Sequence, residues 1–438
     1  MFAYYLELAV RSLKRNKALT LLMVLAISVG IGASMTTLTV MHLLSGDPLP
    51  GKSAELFYPQ VDPDPSPGKH TEPPDIMDYR SAMDLWSAQR ADRQALIVDS
   101  SLKLMAPGVN LPPLMGTMLS TTADFFPMFK VPFEYGSGWT TNEDTNHARV
   151  TVISADLNDK LFGGANSVGR TLHLGDTDTR IIGVLKPWRP SPVFYSVAGG
   201  HYANGNTAAF YSKPEDIFTP FTSGLEINAG NFQTFNCWHA PDNSGHLENS
   251  DCEWVALWVQ LDSAAKVVDY RNFLTGYAEQ QKKLGRFTHT DTRLRDLMQW
   301  LDYNRVLPSD VRLQTWLAFA FLAICLFNTV GLLLAKFMRR RGEIGLRRAL
   351  GASRAAVFTQ CLVESGIIGS IGGLGGLLLT FIGLRLVHAQ PTPYADLAHL
   401  DLSMFLVTFV LAIAVSLLAG TIPAWQACRV TPSLQLKM

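Results

Sequence analysis

Four long runs almost free of charge constrain this chain more than any other feature: residues 18–44, 313–335, 355–384 and 402–425. The first carries only His42 as an ionisable group, and the third only Glu364. A bilayer core of about 30 Å calls for about 20 apolar residues in a helix, and each run meets that length. A cleaved signal peptide is the alternative for the first run. Its apolar part exceeds the roughly 7–15 residues of such a region, and no small-residue cleavage site closes it. The expectation is four transmembrane helices.

Lysines and arginines near the ends of the runs set the expected orientation. Arg11, Lys14, Arg15 and Lys17 precede the first run, and Lys336, Arg339, Arg340, Arg341, Arg347, Arg348 and Arg354 separate the second from the third. Between the third and fourth stands only Arg385, with Asp396 and Asp401. Both termini and the 336–354 loop are therefore expected in the cytoplasm, with 45–312 and the short 385–401 loop outside. Residues 1–17 read as an amphipathic helix on the inner leaflet, because Phe2, Tyr5, Leu6, Ala9 and Leu13 recur at helical spacing. Residues 426–438 form a cytoplasmic tail. The 37 basic and 37 acidic residues cancel, so no global field favours nucleic acid as a partner.

The segment 45–312 is far too long for a loop and must fold as a domain. A β-like stretch at 55–59 is followed by a helix over 75–89 and a strand over 95–105. Two β-rich runs, 150–154 and 180–185, flank a helix beginning near Ala155. Residues 186–250, rich in Gly, Pro, Asn and aromatics, read as long loops. A strand over 254–261 precedes a helix capped by Asp262 and running to about Lys283. A second helix, 292–306, leads toward residue 312 as a stalk. This order fits an α+β domain. Cys237 and Cys252 are the only cysteines outside. In an oxidising compartment such a pair forms a disulfide. The alternative is a zinc site with His239 and His246, but the spacing matches no common zinc module.

Several motifs carry competing meanings. Gly46-Asp47-Pro48-Leu49-Pro50-Gly51-Lys52-Ser53 has the spacing of a phosphate-binding loop. Pro48 and Pro50 remove two of the N–H donors such a loop needs, and a strand rather than a helix is expected next, so the match is read as accidental. No catalytic constellation stands out, and His42, His388 and His399 read as interfacial. Glu364, costly inside a membrane, serves either a substrate path or a pairing with a basic residue near the interface. Gly369, Gly373, Gly372 and Gly376 have the spacing that lets membrane helices approach closely, within the chain or across a dimer. In the loop 339–353 a short helix is expected to stop at Gly351, with Ser353 capping the third span. Its arginines suit a membrane anchor. The interleaved Glu343, Ile344, Gly345, Leu346, Ala349 and Leu350 do not, and they offer apolar knobs to a partner.

At this loop the chain resembles the MacB/FtsX superfamily of ABC transporter permeases, whose signature run is kept from Glu343 to Ala352. Thr121–Phe126, Val152–Leu157, Leu161–Gly164, Val168–Leu172 and Ile181–Leu185 resemble the MacB periplasmic core domain, and Gly420–Pro432 resembles the family's C-terminal end. The resemblance implies an α+β inner-membrane protein of four transmembrane helices. A large periplasmic domain, porter-like with an inserted β-rich subdomain, lies between the first two. It implies a dimer, with a second copy or a paralogue. A cytoplasmic ABC ATPase would dock on Glu343, Ile344, Gly345, Leu346, Arg347, Arg348 and Leu350. MacB carries a fused ATPase, and this chain shows none of its own. A separate ATPase subunit holding the ATP is therefore expected, with no cofactor on this chain. The expected role is mechanotransmission for efflux of a periplasmic substrate, with an adaptor and an outer-membrane channel. Lipoprotein sorting, FtsX-like regulation of periplasmic hydrolases and a membrane-anchored enzyme are the alternatives.

Overall fold

A computed structural model describes residues 2–65, 72–228, 230–398 and 402–428. His399, Asp401 and the tail beyond 428 lie outside the described residues. The chain forms two compact units, Met1–Ser45 with Leu307–Met438, and the inserted domain Gly46–Val306. Helix α1 (Phe2–Arg15) is followed after Asn16 by α2 (Lys17–Ser45), the first long apolar helix.

The inserted domain begins with β1 (Leu56–Val61), buried along its whole length, and β2 (Met77–Asp78). Asp78 then caps α3 (Tyr79–Ser87) by accepting from the Ser81 N–H. Strands β3 (Arg93–Met105) and β4 (Leu114–Thr121) run antiparallel. After α4 (Phe125–Met128), β5 (Phe133–Gly136), α5 (Thr141–Thr145) and β6 (Val150–Ile153) comes α6 (Ala155–Phe162). Ser154 caps the start of α6 and Gly163, at φ +63°, ends it. Gly175, at φ +57°, turns β7 (Thr171–Leu174) into β8 (Thr177–Leu185). The remaining elements are β9 (Ile217–Pro220), α7 (Phe221–Asn228), β10 (Asn236–Cys237), β11 (Cys252–Gln260), α8 (Ala264–Lys283), β12 (Thr292–Asp296) and α9 (Leu297–Tyr303).

Two sub-layers share strand β3. On one side β12, β1, β11 and β3 form an antiparallel sheet, covered by α3 and α8. Trp254, Leu257, Val259, Leu274 and Ala278 meet in its core. Every residue of β11 is buried, which suits a strand covered on both faces. On the other side β3, β4, β9, β6, β8 and β7 pair in sequence, and β7 pairs back onto β3, so the ring closes. Strand β5 pairs antiparallel with the end of β8 and lies at the edge of this ring. Its interior holds Leu104, Met118, Ile153, Leu172, Ile181 and Ile217.

Three expectations are corrected. Residues 292–296 are not helical: they are β12, paired antiparallel to β1 with Leu294 opposite Pro59. The helix that follows is short, opened by an Asp296–Gln299 capping box and ended before Arg305, which sits at φ +48°. The stalk over 292–312 is therefore a strand, a two-turn helix and a break at Pro308, not one continuous helix. Only Leu294 of Thr292–Asp296 is apolar and buried, and it is pairing of all five residues with β1 that makes this segment a strand. Asp262 does not cap α8; Ser263 holds the N-cap position in extended backbone, and Asp262 pairs with Lys266 at 2.9 Å. The segment 186–250 is not all loop, because β9 and α7 lie within it.

In the membrane unit α10 (Ser309–Arg339), the short α11 (Arg341–Ala349), α12 (Arg354–His388) and α13 (Leu402–Cys428) complete the chain. Helices α2, α10, α12 and α13 are long and apolar enough to cross a membrane. Glycines bring α12 close to its neighbours. A Cβ at Gly372 would lie 2.7 Å from Ile27 Cγ2, and one at Gly376 2.9 Å from Ile31 Cγ2, both on α2. On another face of α12, Cβ atoms at Gly369 and Gly373 would lie 1.8 Å from Ser416 Oγ and 2.5 Å from Ala412 Cβ, both on α13. All four glycines thus serve packing inside the chain.

Candidate coupling site at helix α11

Helix α11 is held at both ends by local chemistry. Gly351, at φ +102°, closes its C-terminal turn, and the Ser353 hydroxyl accepts from the Ala356 N–H to open α12. On its inner side Ile344 and Gly345 are buried, Ile344 among the apolar side chains shared with Phe337, Val357 and Cys361. On its outer side Leu346 is 58% exposed and Leu350 80% exposed. Four residues apart, they share one helix face.

Ion pairs fasten this helix to the spans. Arg340, at the joint with α10, donates to Glu343 Oε1 at 3.1 Å and to Glu364 Oε2 at 3.1 Å. Arg347 donates to Glu343 at 2.9 Å and to Gln360 of α12 at 2.9 Å. The hydrogen-bonded Arg340 guanidinium holds the Glu343 carboxyl below the usual carboxylate range. Glu364 is 1% exposed. Lys336 of α10, itself fully buried, lies 2.5 Å from its Oε1, and the Ser12 hydroxyl of α1 donates to the same oxygen at 2.5 Å. Arg348 donates to the Cys428 carbonyl at the end of α13 at 3.2 Å. One buried carboxylate and one half-exposed one thus join α1, α10, α11 and α12. A cleft of about 620 Å³ beside them is lined by Arg11, Arg15, Arg339, Arg340 and Arg347, among others.

The residues singled out from the sequence therefore divide. Leu346 and Leu350 face outward, Ile344 and Gly345 face inward, and Glu343, Arg347 and Arg348 are engaged within the chain. The sequence reading named Glu364 as able to pair near the interface but not its partners. The signal was there: Lys336 and Arg340 are four residues apart at the end of α10, so one helix face presents both cations. Ser12 had no sequence signal, since only folding brings α1 to α12.

The other candidates lie in the inserted domain. Cys237 and Cys252 form a disulfide. His239 pairs with Asp251 at 3.1 Å and His246 lies 3.9 Å from Glu248. Among the described residues no group of three or more His, Cys, Asp or Glu is placed to hold a metal ion. In the Gly46–Ser53 loop the Lys52 ammonium donates to the Pro127 carbonyl at 2.9 Å, and the Ser53 hydroxyl is bonded to Asp47. A single 3₁₀ turn, Ser53–Glu55, then leads into β1. Lysine and hydroxyl are engaged in structure, and the loop runs into a strand where a phosphate-binding loop would open an α-helix.

Residues 20–271 match the model of the MacB-like periplasmic core domain, and residues 316–432 match the FtsX-like permease C-terminal. The macrolide export ATP-binding/permease protein MacB of Syntrophobacter fumaroxidans is 22% identical over 345 residues, 72% of this chain and 46% of that protein. An uncharacterized ABC transporter permease of Bacillus subtilis, YvrN, is 22% identical over 70% of this chain and 67% of its own length. The crystal structure of the periplasmic region of MacB from Actinobacillus actinomycetemcomitans is 12% identical and covers 56% of this chain and 91% of that one, at a TM-score of 0.35. The chain spans about half the length of the MacB relative, 46%. With the core-domain model matched over more than half of the chain and the permease model over the last three long helices, the chain belongs to the MacB-like family of ABC transporter permeases.

Proposed function

We propose that this protein is the permease subunit of an inner-membrane ABC transporter and transmits ATP-driven motion from a separate cytoplasmic ATPase to its periplasmic domain. It would act as a dimer with a second copy or a paralogue. With an adaptor and an outer-membrane channel it would export a periplasmic substrate, an antibiotic, a peptide or a similar compound. ATP stays with the partner subunit. The name of the macrolide-exporting relative supports the export reading. The observation that carries the reading is α11: it offers exposed Leu346 and Leu350 to a partner, and it is fastened by the Arg340–Glu343 ion pair at its joint with α10 and by the Arg347–Gln360 hydrogen bond to α12. Long-range coupling needs an element of this kind, rigid enough to pass a displacement on.

The test is capture of a co-expressed ABC ATPase by the tagged chain. Leu346→Asp and Leu350→Asp place charges on the exposed face only, so membrane insertion and the Cys237–Cys252 bond should persist while ATPase capture falls at least tenfold. Undiminished capture by the double variant would overturn the docking assignment. Glu343→Lys is the poorer probe, because it also breaks the pairs to Arg340 and Arg347.

A further inference from the structure

The inserted domain holds a cavity of about 490 Å³ between the residues preceding β2, the 198–202 turn and strands β10 and β11. Four carboxylates line it: Asp64, Glu72, Asp75 and Glu253. Among the described residues no lysine or arginine does. Glu72 is answered from behind by Arg295 at 2.7 Å and Arg293 at 3.1 Å. The two deepest acids are less well compensated. Glu253 is 8% exposed; its Oε1 accepts from Asn236 at 3.0 Å, and its Oε2 has no hydrogen-bond partner. The Asp75 side chain is also 8% exposed. Its Oδ2 accepts from the Gly199 N–H at 2.5 Å and lies 3.5 Å from His201, while Oδ1 has no hydrogen-bond partner. Burial, with the nearby Asp75, Asp64 and Asp62 carboxylates, pushes Glu253 up to about 8.

Raised in this way, Glu253 keeps its proton at neutral pH, and a positive group from outside would favour the ionised carboxylate and release that proton. The rest of the lining says what kind. Tyr202 is 79% exposed and Phe235 47% exposed, and both line the cavity with Trp238 and Ile76. Aromatic faces attract cations, most strongly when these are poorly hydrated. A divalent metal would need several oxygens converging on one point, and no such group is present among the described residues. The volume falls in the range of small-molecule sites. We propose that this cavity, with Glu253 and Asp75 at its floor and Tyr202, Phe235 and Trp238 in its walls, binds a small organic cation, an amine carried on an apolar body. This goes beyond the transporter reading and does not rest on it, because binding can be measured without an ATPase.

Isothermal titration calorimetry on the full chain in a neutral detergent tests it, with benzyltrimethylammonium as the probe and benzyl alcohol as its uncharged comparator. The charged probe should bind saturably, and the alcohol should not. Glu253→Gln and Asp75→Asn should each weaken binding at least tenfold. Phe235→Ala, which removes an exposed ring and does not touch the floor, should weaken it several-fold in a protein with unchanged thermal unfolding. Absence of saturable binding, equal binding of the alcohol, or unchanged affinity in Glu253→Gln and Phe235→Ala would each overturn the proposal. Calcium displacing the probe at lower concentration than the probe itself needs would also overturn it, by making the site a metal site.

Discussion

Glu364 shows how one side chain organises its surroundings in a membrane. Its carboxylate sits at 1% exposure with Lys336 and Arg340 on one side and Ser12 on the other. A buried charge without a partner costs far more than a neutral, well-packed replacement. Glu364→Leu should therefore destabilise the membrane unit by about 3–5 kcal/mol, because it strands Lys336. Adding Lys336→Leu should recover most of that loss, as measured by detergent-phase unfolding. If the double variant is no better than the single one, the pair does not act as a unit. Asp144 in the inserted domain makes a different prediction. It is 4% exposed, and burial pushes it up to about 7, against the Ala123 N–H that it accepts at 2.7 Å. An acid raised in the folded state holds its proton more tightly there than in the unfolded chain. Its stability contribution is therefore undiminished below about pH 4 and falls as pH climbs toward 7. Asp144→Asn keeps the acceptor and removes the titration. It should match the parent below about pH 4 and be more stable above pH 7, by an amount on the order of 4 kcal/mol. Tryptophan fluorescence can follow this, since Trp86, Trp139, Trp188, Trp238, Trp254, Trp258 and Trp300 all lie in that domain.

At the scale of elements, α12 is the tightest contact point of the membrane unit. Glycine spacing in the sequence showed that close approach was intended somewhere along it, but not toward which neighbour. The structure assigns Gly372 and Gly376 to α2 and Gly369 and Gly373 to α13. Gly369→Ala should lower the unfolding midpoint strongly, because its methyl would meet Ser416 Oγ at 1.8 Å. Gly331→Ala in α10 meets nothing within 4 Å, so it should be neutral or stabilising by up to about 1 kcal/mol. Equal effects at the two positions would show that helix propensity, not packing, dominates. Helix α11 was legible from Gly351, Ser353 and its apolar interleaving. Its inner and outer faces were not, since a nine-residue amphipathic helix can be rotated either way until Ile344 finds Phe337 and Val357. The strand β12 misled for a related reason: Thr292–Asp296 is short, and only pairing with β1 decides it.

For the whole molecule, the inserted domain joins the membrane unit at two chain links, after Ser45 and after Val306, and the second leads into α10. Asn304 is buried, accepting from the Gly200 N–H at 2.9 Å, and the Val306 carbonyl accepts from Thr207 at 2.7 Å. Helix α10 starts at Ser309, immediately after Pro308. The chain therefore passes from an anchored turn to a span across Leu307 and Pro308 alone. Two glycines inserted between Val306 and Leu307 should leave ATP hydrolysis and ATPase capture near the parent level and abolish outer function, read as export or resistance. Export at the parent level would argue for a substrate path through the spans instead of a mechanical one.

The sequence by itself determined the four long apolar helices, the folded insertion between the first two and the short amphipathic helix before α12. These follow from local quantities: length, hydropathy, charge placement and capping chemistry, each carried by consecutive residues. Tertiary structure decided which cations answer Glu364, which neighbour each glycine of α12 approaches and that β7 closes the strand ring onto β3. It also placed Asp75 and Glu253, far apart in the chain, on one cavity floor. Each of these is a meeting of side chains distant in sequence. It exists only once burial, hydrogen bonding and close packing have selected one arrangement among many that the local pattern permits equally.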